Sequence, residues 1–312
     1  KIIKKLNNKN SLLDLKIQNI LIGDLIYDSY LKKYKKETIN LKDKKFKNFL
    51  EVSLYYFFFW IEQFKTKKIK SVISSQSVYM SSLPLRIAIS KSCLGLVANP
   101  ERLYRLTKKI IYSDKEFELF NKIKKNIDKQ NLNAGIKISE KKIKKRFQGK
   151  LGSDLSYLSK TAYGNFTKTR VLNNNKKLKV LIAPHSFSDA PHQLGKHLFA
   201  DYYEWLKFII LNASDKYDWY IKCHPNFVDY FDNTLAIVKK MIKQNKIIKF
   251  LNPNISHRQL IKEGIKVVIT CHGTIGSEYP YFNLMVVNAS NSNPHINYKF
   301  NLHPKSKYQL KH

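Results

Sequence analysis

The chain has 312 residues, an apolar fraction of 43% and a formal net charge of +34 at pH 7. Because single cores stop growing near about 250–300 residues, this length predicts one large or two ordinary domains, and the apolar content excludes a mainly disordered chain. The excess of Lys is spread evenly along the chain, as is typical of an AT-rich coding sequence. A charge of this size would also suit a nucleic acid, an anionic membrane surface or an anionic substrate.

The three cysteines of the chain, Cys93, Cys223 and Cys271, lie far apart and form no Cys-x-x-Cys pair. This count and spacing predict neither a disulfide framework nor a zinc site, and they favour a reducing cytoplasm. The chain does not begin with Met. One interpretation of this start is a truncated first domain.

The first half of the chain, residues 1–172, predicts an α/β domain. Its elements are expected, in chain order, at a strand over 16–22, a helix over 25–34, a long apolar helix over 44–66, a strand over 69–74, a helix over 84–90, a strand over 95–98 and a charged helix after Asp114. The most apolar run, Val52 to Phe64, is shorter than the ~20 residues needed to span a bilayer. It predicts a buried helix, with a helix lying in a membrane interface as the alternative. The strongly basic stretch 137–150 predicts a solvated helix or a linker.

In residues 173–312, short apolar runs alternate clearly with helical stretches. Strands are expected over 179–183, 219–223, 247–250, 267–271 and 284–288, and helices over 201–213, 229–245, 256–263 and 275–282. Ser256 is the expected N-cap of the third of these helices. Such alternation is typical of a doubly wound domain with a parallel sheet. We therefore predict an α/β fold of two Rossmann-like, doubly wound domains, 1–172 and 173–312, that face a cleft in which small ligands bind.

All nine histidines of the chain follow residue 184. His185, His224 and His272 each come within a residue or two after a predicted strand, and the carboxyl ends of parallel strands meet at one edge of a sheet. Three imidazoles are therefore expected to converge there. Pro225, with Asn226 behind it, ends one of these strands and fixes the turn that holds His224. An imidazole in that place can donate to a phosphate oxygen or protonate a leaving group, because its ordinary pKa of about 6.5 is close to neutral pH.

The turn after the strand over 267–271 reads His272-Gly273-Thr274-Ile275-Gly276-Ser277-Glu278. Its glycines let backbone N–H groups approach an anion, and a helix that starts near Ile275 directs its positive end toward that anion. Thr274 and Ser277 add hydroxyl donors, and Glu278 can accept hydrogen bonds from a ribose. The pattern predicts a phosphate site. A tight turn with Glu278 as a first-turn helix acid is the alternative.

Two polar loops follow the first and last strands of the second half. The earlier loop carries His185, Asp189 and His192, which predicts contacts to substrate or phosphate, with a solvated loop as the alternative. A metal site at these three side chains stays open, but their spacing does not select it. Asn288 and Ser290 begin the later loop, which suits either contacts to sugar hydroxyls or an ordinary turn.

In the first half, Asp24 follows Gly23 at the end of the strand over 16–22. A carboxylate at a strand end can act as a general base toward an incoming hydroxyl group. A helix cap is the alternative role.

The motif Lys222-Cys223-His224-Pro225, the turn from His272 to Glu278 and the following Tyr279-Pro280-Tyr281-Phe282 with the strand 285–288 resemble bacterial glycosyltransferases of the two-domain GT-B type. The resemblance is to enzymes of capsule and surface-polysaccharide biosynthesis, including sialyltransferase-like groups that use CMP-activated sugars. It covers most of the second half and the first half only loosely. The Asp/Glu-Asp-Gly motif that supplies a base in sialyltransferase-like members has no good match, and Gly23-Asp24 reverses its order.

The resemblance implies a role for each matching residue. His224 contacts the donor phosphate and serves as the acid, the turn 273–277 binds phosphate, and Glu278 holds the ribose. The predicted catalytic residues are His224, Asp24 and His185; the predicted donor site is His272, Gly273, Thr274, Gly276, Ser277, Glu278, Pro225 and Asn226; and the predicted contacts to acceptor or sugar are Asp189, His192, Asn288 and Ser290.

We therefore predict a metal-independent, inverting glycosyltransferase that moves a sugar from a CMP- or UDP-linked donor to a surface polysaccharide or a lipid-linked precursor. Its expected place is the cytoplasm, with peripheral contact to the anionic inner membrane, to which each suitably placed basic side chain adds ~1 kcal/mol of attraction. Nucleic acid is not an expected partner. The alternatives are a phosphotransferase that uses a CDP-linked polyol, as in teichoic-acid-type polymerases, and a noncatalytic protein that binds polysaccharide or nucleic acid.

Overall fold

The computed structural model describes residues 6–99, 102–150, 159–230, 233–243 and 245–312. The fold is α/β, and the chain divides into two compact units. The first unit is Lys1–Glu116 with Phe187–Tyr203, and the second is Phe117–Ser186 with Glu204–His312. The division into domains at 172/173 stays a prediction.

The first unit combines short strands with a helical core. In chain order its elements are α1 (Lys9–Leu13), β1 (Lys16–Ile17), β2 (Ile20–Leu21), α2 (Gly23–Tyr34), α3 (Lys44–Thr66), β3 (Ser71–Ser74), α4 (Leu83–Ser90), β4 (Leu94–Ala98) and β5 (Leu103–Leu106). β1 and β2 form an antiparallel hairpin, and β4 pairs parallel with β3 and antiparallel with β5. Because the described part of this unit holds a three-stranded mixed sheet, the prediction of two Rossmann-like domains is not confirmed.

The single strand predicted before Gly23 is wrong, because the chain forms the β1–β2 hairpin there. Gln18 and Asn19 at its turn have φ of 50° and 63°, the left-handed conformation that two-residue hairpin turns need. The chain then enters α2 at Gly23, where an added Cβ would collide with the carbonyl oxygen of Leu12. Asp24 therefore lies in the first turn of a helix and not in a loop after a strand.

The helix predicted over 44–66 is confirmed as α3. Asp43 caps it by accepting a hydrogen bond from the backbone N–H of Lys45 at 2.9 Å. One side of α3 packs into the core of the first unit with its buried Phe46 and Phe57. The opposite side exposes aromatic side chains. Among the described helices, α3 included, none is long and apolar enough to cross a membrane.

The second unit is built around a five-stranded parallel sheet. Its elements are α5 (Phe120–Asn126), α6 (Lys129–Phe147), β6 (Lys179–Ile182), α7 (Tyr202–Asn212), β7 (Asp218–Ile221), α8 (Thr234–Lys243), β8 (Ile248–Phe250), α9 (His257–Lys262), β9 (Ile265–Thr270), α10 (Ile275–Glu278), β10 (Met285–Asn288) and α11 (Lys307–Lys311). The strand order is β10-β9-β6-β7-β8. Numbered along the chain, this is the doubly wound order 3-2-1-4-5, which reverses between β6 and β9. The five strands predicted for the second half are confirmed.

The helices of the second unit differ from the prediction at their ends. The helix expected over 275–282 ends at Glu278, and a 3₁₀ turn over Pro280–Phe282 follows, because Pro280 has no N–H to continue the helix. Such a short helix offers little of the aligned dipole that the predicted phosphate turn requires. Ser256 is the N-cap of α9 as predicted, but its side chain makes no capping hydrogen bond.

Candidate functional site

Three neighbouring strands of the parallel sheet carry polar side chains directly after their carboxyl ends. His185 follows β6, Lys222 and His224 follow β7, and His272 follows β9. β6 pairs with β7 on one side and with β9 on the other. The three strand-end histidines therefore share one edge of the sheet, beside the point where the strand order reverses, which is where open α/β sheets bind ligands.

His185 and His272 stack on each other across that reversal point. Their ring centroids lie 4.7 Å apart with an interplanar angle of 24°. The backbone N–H of His272 donates to Nε2 of His185 at 3.4 Å, so the proton of a neutral His185 ring belongs on Nδ1. Burial lowers the pKa of His185 to about 4. At neutral pH this ring is therefore a hydrogen-bond donor without charge.

The turn after β7 fixes the ring of His224. Pro225 opens a 3₁₀ turn, and the backbone N–H of Asn226 donates to Nδ1 of His224 at 3.2 Å. The neutral ring therefore carries its proton on Nε2, the atom that would donate to a ligand. The buried side chain of Asn226 donates in turn to Oγ of Ser159 at 3.0 Å. Pro225 and Asn226 thus support His224 as positioning residues.

A buried chain of polar groups, which the sequence interpretation missed, begins beside His224. Nζ of Lys222 lies 3.4 Å from Nε2 of His257, and Nδ1 of His257 lies 2.7 Å from the hydroxyl of Tyr279. Burial lowers the pKa of Lys222 to about 7. Burial and the charges of Lys222 and His224 hold the pKa of His257 well below its ordinary value. A buried amine that gains or loses its proton near neutral pH is typical of functional sites.

Glu278 forms an ion pair with Arg146, a residue that the sequence analysis did not single out. Oε1 of Glu278 lies 2.6 Å from Nε of Arg146, and Oε2 accepts from the hydroxyl of Tyr163 at 2.6 Å. Nη2 of Arg146 donates to Oγ1 of Thr274 at 3.1 Å. With both oxygens of Glu278 engaged, these contacts favour a positioning role for it over the predicted ribose contact. Arg146 lies in the last turn of α6, so the basic stretch predicted as a solvated helix or linker brings one cation to the turn.

The glycine turn is packed against the loop after β10. Nε2 of His295 lies 3.2 Å from the carbonyl oxygen of Gly273, and the amide of Asn301 donates to the carbonyl oxygen of Gly276 at 2.7 Å. A Cβ on Gly276 would collide with the His295 ring. The hydroxyl of Ser277 donates back to the carbonyl oxygen of Thr274 at 2.9 Å, a local bond that Ser side chains make within helices. Glycine at 276 is thus required for close packing within the unit. The sequence pattern instead predicted that this glycine lets backbone N–H groups approach an anion.

The predicted sugar contacts Asn288 and Ser290 are both fully buried. The hydroxyl of Ser290 donates to the carbonyl oxygen of Ser292 at 2.9 Å and orders the loop. Neither amide atom of Asn288 has a hydrogen-bond partner among the described residues. Both side chains therefore face the interior of the second unit, where a sugar has no direct access.

Asp24, the predicted general base, forms a buried ion pair in the first unit. Its two oxygens accept from the guanidinium of Arg86 at 2.6 Å each, and one also accepts from the hydroxyl of Tyr112 at 2.7 Å. Burial alone raises the pKa of Asp24, but Arg86 and Tyr112 together bring it below its ordinary value. A carboxylate that holds its partners this firmly is a poor base.

His192 and Asp189 also belong to the first unit. Nδ1 of His192 lies 2.6 Å from Asp28, and Nε2 lies 2.9 Å from the carbonyl oxygen of Ala200, so both ring nitrogens are engaged. Asp189 lies at the surface, 3.5 Å from Lys32. Within the described ranges, no group of His, Cys, Asp and Glu side chains is arranged to hold a metal ion.

No protein-family model, curated protein or solved structure is significantly similar to this chain. The resemblance to bacterial glycosyltransferases that its motifs suggest therefore stays a prediction.

Proposed function

We propose that the chain is a glycosyltransferase of the two-domain GT-B type, which moves a sugar from a CMP- or UDP-linked donor to a surface polysaccharide or a lipid-linked precursor. The observation that carries this proposal is the stacked pair of His185 and His272 at the reversal of strand order, with His224 on the neighbouring strand. Nucleotide phosphates bind at this place in open α/β sheets.

The chemistry of the transfer asks for positive charge and hydrogen-bond donors at the leaving phosphate. The acceptor oxygen forms a bond to the anomeric carbon, and the bond from that carbon to the phosphate oxygen breaks, so its electron pair leaves with the nucleotide. Preorganised donors that meet this developing charge usually contribute the largest share of catalysis. In this proposal His224 donates from Nε2, because its Nδ1 accepts from the backbone N–H of Asn226. The guanidinium of Arg146, which is paired with Glu278, lies beside Thr274 as a second donor group.

The acceptor must also lose a proton to a base. Asp24 is not proposed for this step, because Arg86 and Tyr112 hold its carboxylate. His185 is not proposed for it either: its Nε2 already accepts from the backbone of His272, so it acts as a neutral donor to the phosphate. The acceptor proton therefore goes to a base other than His224, Asp24 and His185.

A panel of CMP, UDP, CDP and GDP in a thermal-shift measurement tests the donor site directly. We expect one nucleotide to raise the unfolding temperature selectively, because a ligand that binds only the folded state stabilises it. Selective stabilisation by CDP, with turnover of a CDP-linked polyol, would instead assign the phosphotransferase alternative. If all four nucleotides leave the unfolding temperature unchanged, the proposal fails.

His224→Ala tests the chemical step. Loss of a positioned acid typically costs about 10²–10⁴-fold in rate, so release of free nucleotide from the sugar donor should fall by that range. The matched control is His312→Ala, which removes an exposed imidazole from the last residue of the chain and should leave turnover unchanged. Unchanged turnover in His224→Ala would contradict the proposal.

A further inference from the structure

α3 of the first unit presents an exposed apolar surface opposite its buried side. Val52, Tyr55, Phe58 and Phe59 are 62%, 77%, 49% and 54% exposed. Spacings of three, four and seven residues place them on one side of the helix, and we call this surface the aromatic face of α3. Exposed clusters of large apolar side chains mark interaction surfaces, whereas scattered single ones do not.

Exposed lysines flank the aromatic face at both ends of the helix. They are Lys44, Lys45, Lys47, Lys65, Lys67, Lys68 and Lys70. Two exposed carboxylates, Glu51 and Glu62, lie on the same side, and Glu62 pairs with Lys65 at 3.2 Å. Positive charge therefore exceeds negative charge around the aromatic face.

We propose that the aromatic face of α3 docks the protein on an anionic lipid surface. Aromatic side chains of a helix that lies in the plane of a membrane enter the headgroup region, and flanking lysines reach the lipid phosphates. A second copy of this chain is a less suitable occupant, because two chains that each carry a net charge of +34 repel each other. This proposal is independent of the reaction that the second unit performs.

Co-sedimentation of the full chain with lipid vesicles tests the docking. The vesicles are phosphatidylcholine alone, or phosphatidylcholine with about one third phosphatidylglycerol. We expect binding to the anionic vesicles, and we expect Tyr55→Ser combined with Phe59→Ser to weaken it by about tenfold or more, because two rings no longer enter the interface. The matched control, Leu211→Ser with Tyr308→Ser, removes side chains that are 74% and 73% exposed on other helices. It should bind as the wild type does.

The unfolding midpoint and the solution mass of each variant accompany the binding measurement. All four substituted side chains are exposed, so an unchanged midpoint shows that any loss of binding is not a loss of fold. Absence of wild-type binding to anionic vesicles, or equal binding by wild type and the Tyr55/Phe59 variant, overturns the proposal. A wild-type dimer that the Tyr55/Phe59 variant does not form also overturns it, since the face would then belong to a second copy.

Discussion

Buried carboxylates of the first unit each meet one cation, whereas in the second unit two cations and several imidazoles gather around one buried carboxylate. In the first unit, Asp24 pairs with Arg86 and Asp28 pairs with His192, each at 2.6 Å. Burial opposes the charge of His192, but the carboxylate of Asp28 raises its pKa above the ordinary value. Each charge is matched locally, so these groups need nothing from outside.

In the second unit, Glu278 contacts Arg146, and its charge also acts on the buried Lys222. His224 and His257 lie in the same electrostatic neighbourhood. Below about pH 7, where Lys222 is protonated, the two cations outnumber the one carboxylate, and an anion from solution would restore the balance. We infer that the polar cluster of the first unit serves stability, whereas that of the second unit is suited to binding an anion.

The first prediction concerns the buried ion pair of Asp24 and Arg86 in the first unit. Arg86→Ala leaves the carboxylate of Asp24 buried without its cation, which should cost about 3–5 kcal/mol in the free energy of unfolding. Denaturant unfolding measures the loss. The control is Asp14→Ala, whose ion pair with Lys196 is half exposed and should contribute less than about 1 kcal/mol. Equal losses in the two variants would contradict a structural role for the Asp24–Arg86 pair.

A second prediction concerns the packing of the turn in the second unit. Gly276→Ala places a Cβ 2.6 Å from Nε2 of His295, and such overpacking typically costs about 1–3 kcal/mol. The control is Gly135→Ala in the middle of α6, where an added Cβ meets nothing within 4 Å. That substitution should stabilise by about 0.5–1 kcal/mol, since alanine favours helix. Denaturant unfolding of both variants measures the two changes in the free energy of unfolding, which should have opposite signs. A stabilising effect of Gly276→Ala would contradict the close contact with His295.

The third prediction is a pH dependence of the free energy of unfolding that comes from Lys222 in the second unit. The pKa of Lys222 is lowered by burial from 10.5 to about 7, so above pH 7 the unfolded chain binds a proton that the folded chain has released. Stability should therefore rise with pH above about 7, by about 2 kcal/mol up to pH 9, and fall as the pH drops toward 7. Unfolding of wild type and Lys222→Met across this range measures the difference. If the free energy of unfolding of the wild type and of Lys222→Met changes with pH by the same slope, Lys222 is not the titrating group.

The fourth prediction concerns the contribution of Arg146 to anion binding in the second unit. Arg146→Gln should weaken binding of the nucleotide that stabilises the protein by about tenfold, or about 1.4 kcal/mol, because a charge-assisted donor is lost. Calorimetric titration measures the affinity. Lys145→Gln removes the same charge from an exposed neighbour on α6 and should change affinity by less than about twofold. Similar losses in both variants would mean that overall charge, and not the placement of Arg146, attracts the anion.

The parallel sheet and the three histidines at its edge could be predicted because the sequence patterns that indicate them are local. Each strand of the second unit is a short apolar run, and His185, His224 and His272 follow directly in sequence. The β1–β2 hairpin was missed because Gln18 and Asn19 adopt left-handed conformations without a glycine to signal them.

The partners of the site could not be predicted because they join residues far apart in the chain. Arg146 and Thr274 are separated by 128 positions, and Arg146 follows two other basic residues that look the same in sequence. Lys222 stands within the quoted motif, but only the fold shows that it is buried against His257, 35 positions away.

The segment 187–203 belongs to the first unit although it lies far along the chain from the rest of that unit. It supplies His192 to Asp28, and it supplies Asp201, whose carboxylate accepts from the hydroxyl of Tyr27 at 2.5 Å. A fragment that stops at the end of the first stretch would expose these interior groups to solvent without their counterparts. Dissection by simple truncation should therefore yield insoluble or unfolded material, and a circular permutant or a linker-bridged fusion is the practical route to an isolated first unit.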